Sequence, residues 1–173
     1  MKKTIYLALI ATTLFACSAP AENKSVNNGD EAVSADFKEN SKVALTLFHG
    51  FENKDMTPFD KNIADTAKII GAKYGQGILT KAENTANLLA LTKLFSVSKA
   101  NDITLLPGID TVTLKPNSDV RAYVRWTDDA LNGAKIEHKY YALMQFNKDH
   151  KVILIDEYFD VTGMLNASTT PKK

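Results

Sequence analysis

The residues of this 173-residue chain that could do chemistry are three histidines, one cysteine and a scatter of carboxylates. His49, His138 and His150 never fall at metal-ligand spacing, and the single thiol, Cys17, lies far from all of them, so no metal site is expected. No Gly-x-Ser-x-Gly elbow is present, which removes the common serine hydrolase arrangement. The glycines of Gly71–Gly77 match neither a phosphate loop nor a dinucleotide fingerprint, and no cofactor is expected. A formal charge of +1, without a basic stripe or reader motif, argues against nucleic acid as a partner. A neutral imidazole and a partly desolvated carboxylate both move protons near neutral pH, so His138, Asp156 and Asp160 are weighed as acid–base candidates on the family resemblance described below. The plainer alternative makes His138 a hydrogen-bonded strand residue and Asp160 a group tied up at a strand end.

The elements that would carry these residues are three β-like runs between Val120 and Asp160. Val120, Ala122, Val124 and Trp126 alternate with Arg121, Tyr123 and Arg125. Ile136, His138, Tyr140, Ala142, Met144 and Phe146 share one face of the second run. In the third, Val152–Asp160, one parity holds Asp156, Tyr158 and Asp160, and the other holds Ile155, Glu157 and Phe159. The second parity is the more apolar, so the acids of the first could face solvent or a partner sheet. Period-two patterning broken at Asn132-Gly133 and Asn147–His150 predicts an antiparallel meander. Trp126 and Tyr158 are candidate cavity aromatics.

Upstream, Ala44, Leu47, Phe48 and Phe51 give a helix over 36–53 one apolar face, with Asp36 and Glu39 at its start. Thr57-Pro58 opens a short helix, and Ile63–Ile70 reads as a strand. Thr80 and Glu83 form a capping box for a helix to about Phe95, with Leu88, Leu91 and Phe95 inward. Short strands follow at Ile103–Leu106, ended by Pro107-Gly108, and at Ile109–Lys115, ended by Pro116. Val161–Leu165 finishes the last strand, and the remainder frays. Helices first and strands afterwards indicate an α+β domain.

The N-terminus has a different character. Lys2-Lys3, the apolar run Ile5–Phe15 and then Leu14-Phe15-Ala16-Cys17 resemble a bacterial lipoprotein signal and its lipobox. The resemblance implies cleavage after residue 16 and lipidation and acylation (palmitate) at Cys17. It also implies an outer-membrane anchor facing the periplasm, since Ser18 rather than Asp follows. Two or more acyl chains hold a protein where one is marginal. Residues 17–35, rich in Ser, Asn and acids, read as a tether between that anchor and a domain over 36–163, with 164–173 as a disordered tail.

The order of elements, with Ile63-Ala64-Asp65, Arg125-Trp126-Thr127 and Phe146–Asp160, resembles the SnoaL-like branch of the nuclear transport factor 2-like superfamily. That resemblance implies a curved antiparallel sheet shaped as a cone, helices on its concave face, an open end for a small and often apolar ligand, and sheet-to-sheet homodimers. Isomerases of the superfamily carry an aspartate just after the first strand, where this chain has Gly71. Polyketide-cyclase relatives use a cavity aspartate and histidine, for which His138 and Asp156/Asp160 are nearest. The leading expectation is a lipid-anchored, non-catalytic envelope module that binds a small apolar ligand or a partner protein through Trp126, Tyr158, His138 and Asp160. The alternatives are a cofactor-independent isomerase, cyclase or lyase using one acid–base pair (His138 and Asp160), and a structural dimer whose cavity its own side chains fill. Tyr123, Tyr141 and Leu143 are the expected dimer contacts.

Overall fold

The computed structural model describes residues 28–170, so Cys17, the signal segment and most of the predicted tether lie outside the described residues. A long helix, α1 (Asn28–Glu52), is followed by α2 (Thr57–Asn62), β1 (Ile63–Ile70), β2 (Ile78–Leu79) and α3 (Lys81–Thr92). Four strands and a helix complete the chain: β3 (Phe95–Ile109), β4 (Pro116–Ala130), β5 (Lys135–Phe146), β6 (Val152–Tyr158) and α4 (Val161–Thr169). The strands form one six-stranded sheet in the order β2-β1-β6-β5-β4-β3. The α+β class holds. The sheet is mixed rather than wholly antiparallel, because β1 runs parallel to β6.

The alternation in β4 and β5 fixes which face is buried. Val120, Ala122, Val124 and Trp126 are at most 6% exposed, and in β5 Ala142 and Met144 are likewise buried. Against that face α1 lays Ala44, Leu47 and Phe48, the stripe that its helical spacing predicts. Polar ties fix the docking of α1. Asn40, 2% exposed, donates from Nδ2 to Ser118 O at 2.8 Å, and its Oδ1 lies 2.8 Å from His150 Nδ1. Glu52 Oε1 accepts from Ala100 N at 2.7 Å, and Lys54 Nζ donates to Phe95 O at 2.6 Å. These bonds tie the middle of the helix and its C-terminal end to the sheet beneath it.

Several boundaries differ from expectation. α1 starts at Asn28, inside the stretch read as tether, so Asp36 is an interior residue and not its cap. α3 opens on the predicted Thr80/Glu83 capping box but ends at Thr92, which leaves Phe95 to begin β3. The two short strands expected between 103 and 115 are instead one strand, β3, and a turn. Pro107 is tolerated because β3 is an edge strand, and Pro116 because it is the first residue of β4. A bulge between Asn101 and Thr104, with Asp102 at φ 47°, bends β3 part-way along. The Asn132-Gly133 turn forms as predicted, Gly133 taking φ 82° where a side chain would be strained.

The C-terminal expectation fails. Residues 161–169 form a helix, neither a strand end nor a disordered tail, because Asp160 accepts from Gly163 N at 2.8 Å and caps it. A Cβ on Gly163 would run into that carboxylate, so the cap requires glycine there. α4 packs Met164 beside Phe95, Ala130 and Ala134 in a second, smaller core. Among the described residues no helix is long and apolar enough to cross a membrane.

Candidate active site

Between the helices and the buried face of the sheet lies a cavity of about 690 Å³, counting the open space at its mouth. Its walls are mostly apolar. Leu47, Phe48 and Phe51 come from α1, Leu88 and Leu91 from α3, and Met144 and Ile155 from the sheet. Trp126 sits at 6% exposure with Phe48 and Phe51 edge-on to it, ring centroids 6.2 and 5.3 Å away. Five polar side chains break the apolar lining: Asn84, Asp128, His138, Tyr140 and Glu157.

Asp128 and His138 form the first pair. Asp128 continues the alternation of β4 past Trp126, and His138 stands opposite Trp126 on β5. The two are therefore diagonal neighbours on one face, with His138 Nδ1 3.4 Å from Asp128 Oδ2. Asp128 is 2% exposed, and among the described residues neither of its oxygens has a hydrogen-bond partner; His138 Nδ1 likewise has none there. Burial raises the Asp128 carboxyl above its ordinary range. Ser98, its cross-strand neighbour, and His138 offset this only in part, and the Ser98 hydroxyl falls outside hydrogen-bond geometry. Burial likewise lowers His138, opposed by the carboxylates of Asp128 and Asp160. An unsatisfied carboxyl in an apolar wall costs stability, and such costs are characteristic of working sites.

Tyr140 and Glu157 form the second pair. The Tyr140 hydroxyl donates to Glu157 Oε1 at 2.9 Å across β5 and β6. Burial, then the neighbouring Glu157 charge, pushes Tyr140 well above its ordinary value. Glu157 is raised by burial, with the Tyr140 bond pulling the other way. His138 and Tyr140 are two residues apart on one face of β5, so the pairs lie roughly 7 Å apart along the strand.

Of the four ligand candidates, His138 and Trp126 line the cavity. Tyr158 and Asp160 do not. Tyr158 is 56% exposed on the opposite face and donates to Asp156 Oδ2 at 2.9 Å, while Asp160 caps α4. The acid beside the histidine is Asp128. Among the described residues no cluster of His, Cys, Asp or Glu could hold a metal ion.

The fold has clear counterparts among solved structures. It matches a candidate SnoaL-like polyketide cyclase from a Jannaschia species with TM-score 0.58 and 13% identity, over 78% of this chain and 94% of the other. A candidate polyketide cyclase from Xanthomonas campestris matches with TM-score 0.62 and 10% identity, over 78% and 99%. A nuclear transport factor 2-like protein from Anabaena variabilis gives 0.59 and 13%, over 72% and 90%. This is the nuclear transport factor 2-like fold. No protein-family model and no curated protein matches the chain significantly. Identities this low speak for the fold alone, so the chemistry rests on the cavity's own residues.

Proposed function

We propose that the domain is a cofactor-independent acid–base enzyme that enolises, isomerises or cyclises a small, largely apolar carbonyl compound. The observation carrying this reading is Asp128, a buried carboxyl without a hydrogen-bond partner, 3.4 Å from His138 in an apolar cavity. Burial favours the neutral imidazole, the form that accepts a proton. Since Nδ1 faces Asp128, Nε2 is the nitrogen open to the substrate. The carboxylate then stabilises the imidazolium once the proton has arrived, as in other His–Asp pairs. Tyr140 and Glu157 supply a second acidic group that returns a proton or steadies a developing enolate oxygen. Structures described as candidate polyketide cyclases share this fold, which supports a cyclase-type reading alongside the cavity's own residues.

The test is incorporation of solvent deuterium into the α-carbons of a bicyclic ketone such as 2-decalone, followed by mass spectrometry. Wild-type protein should accelerate exchange, and His138→Gln and Asp128→Asn should each lose that acceleration by about two orders of magnitude or more. Saturable binding without exchange would return the site to a binding module.

Two further parts belong to this proposal. Cys17 is lipidated and holds the enzyme at the bacterial outer membrane, as the sequence Leu14-Phe15-Ala16-Cys17 suggests. Cys17→Ser should release the protein from the membrane fraction; retention after a high-salt wash would refute the anchor. The outer face of the sheet pairs with a second copy. There the rings of Tyr123 and Tyr141 lie tilted with centroids 4.8 Å apart, and those of Tyr141 and Tyr158 5.7 Å apart, in a row partly open to solvent.

A further inference from the structure

Asn84 stands apart from the acid–base pairs. It lies on α3 four residues before Leu88 and seven before Leu91, so it shares the cavity-facing stripe with those two leucines. It is 5% exposed, and among the described residues its side-chain amide makes no hydrogen bond. The capping box at the start of α3 does not use it: Thr80 and Glu83 satisfy each other, and only the Asn84 backbone N–H bonds to Thr80 O. Unlike the oxygens of Asp128, the side-chain amide atoms of Asn84 are not among the fully enclosed polar atoms, so the group keeps access to the cavity with no protein partner there. Asn84 lines the same cavity as Asp128, His138, Tyr140 and Glu157.

We propose that Asn84 selects the ligand by binding the oxygen of a neutral, enolisable ketone whose remaining surface is apolar. The inference rests on the enzymatic reading and names its substrate class. An amide suits both tautomers of such a compound. Its Nδ2–H groups donate to a keto or enolate oxygen, and its Oδ1 accepts from an enol hydroxyl. The remaining lining explains why the ligand is uncharged. Among the described residues no lysine or arginine lines the cavity, so an anion would meet no counter-charge there. Burial also shifts Asp128, His138 and Glu157 each toward the uncharged form. A site that hydrogen-bonds one oxygen rejects the analogue lacking it far more strongly than an apolar pocket rejects a change of shape.

Trp126 is the only tryptophan and lines the same cavity, so its emission reports occupancy. Wild-type protein is titrated with 2-decalone and with 2-methylidenedecalin, which replaces the carbonyl oxygen by a methylene group at nearly constant shape. The ketone should bind about tenfold more tightly or better. Asn84→Leu should abolish the preference and bind the alkene at least as well. Asn84→Ala, which asks less of the packing, should abolish it too, and Asp128→Asn should keep it. Equal affinity of wild type for the two compounds overturns the proposal without any variant. A preference that survives in Asn84→Leu or Asn84→Ala also overturns it. Loss of deuterium exchange with the preference intact sinks the enzymatic reading alone. No saturable response of Trp126 to either compound sinks both.

Discussion

Asp128 sets two effects against each other. Its carboxyl titrates higher in the folded chain than in the unfolded one, so the native state favours the protonated form. The associated stability is fully present below the unfolded value and is lost as pH rises through the folded one. At neutral pH the buried charge is therefore a burden, and Asp128→Asn should raise stability by about 1 kcal/mol while abolishing proton exchange. Chemical denaturation beside the exchange assay checks both halves; a destabilised and active variant would contradict them. His138 works in the opposite sense. Its folded value lies below its unfolded one, so stability increases as pH rises across that interval. With the neutral imidazole as the proposed base, the acidic limb of the rate profile should fall below the ordinary histidine value of 6.5. A limb above that value would exclude His138 as the base in this environment. His138 and Trp126 were legible from β-alternation. Asp128 was two residues further along the same alternation, but Thr127-Asp128-Asp129 reads as a strand end, since aspartate is depleted in strands. Glu157 shared its parity with Ile155 and Phe159, so the face that looked like plain core held the acid. Asn84 carried a quieter signal, an amide in register with Leu88 and Leu91.

At the level of elements, the meander, both of its turns and the α3 capping box followed from local chemistry and appear as expected. The errors came where tertiary context overrides a local cue. Pro107-Gly108 looks like a strand terminator, yet at a sheet edge the missing N–H costs no ladder bond. Val161–Leu165 looks β-like, but the Asp160 cap and the packing of Met164 favour a helix. α4 brings Met164 and the preceding Phe159 to the cavity wall. Its C-terminal end is held by Asn132, whose Nδ2 donates to Ala167 O at 2.9 Å and Thr170 O at 2.7 Å. Asn132→Ala should weaken that attachment by about 1 kcal/mol. Amide exchange should then rise several-fold across 161–169 while β4 and β5 stay protected. Equal protection in both proteins would show that packing alone secures the helix.

For the whole molecule, the expected pairing of sheets gives a direct measurement. Light scattering on residues 28–173 at micromolar concentration should give twice the chain mass, and Tyr123→Glu should return it to a monomer by placing a charge in the tyrosine row. A monomer for the parent protein would leave that row as a solvent-facing ladder. One feature of the sheet also bears on how the chain is made. β1 lies between β2 and β6, and its parallel register places Ile63 beside Val152 and Ile70 beside Asp156. On a ribosome, β1 therefore emerges long before the strand that joins it to β5, and α1 waits equally long for the floor formed by β4. Loop closure over such a span is slow, and the waiting surfaces are apolar. A ribosome stalled just before Val152 would leave β1 without its parallel partner, with β6 acting as the keystone that makes the two halves one sheet.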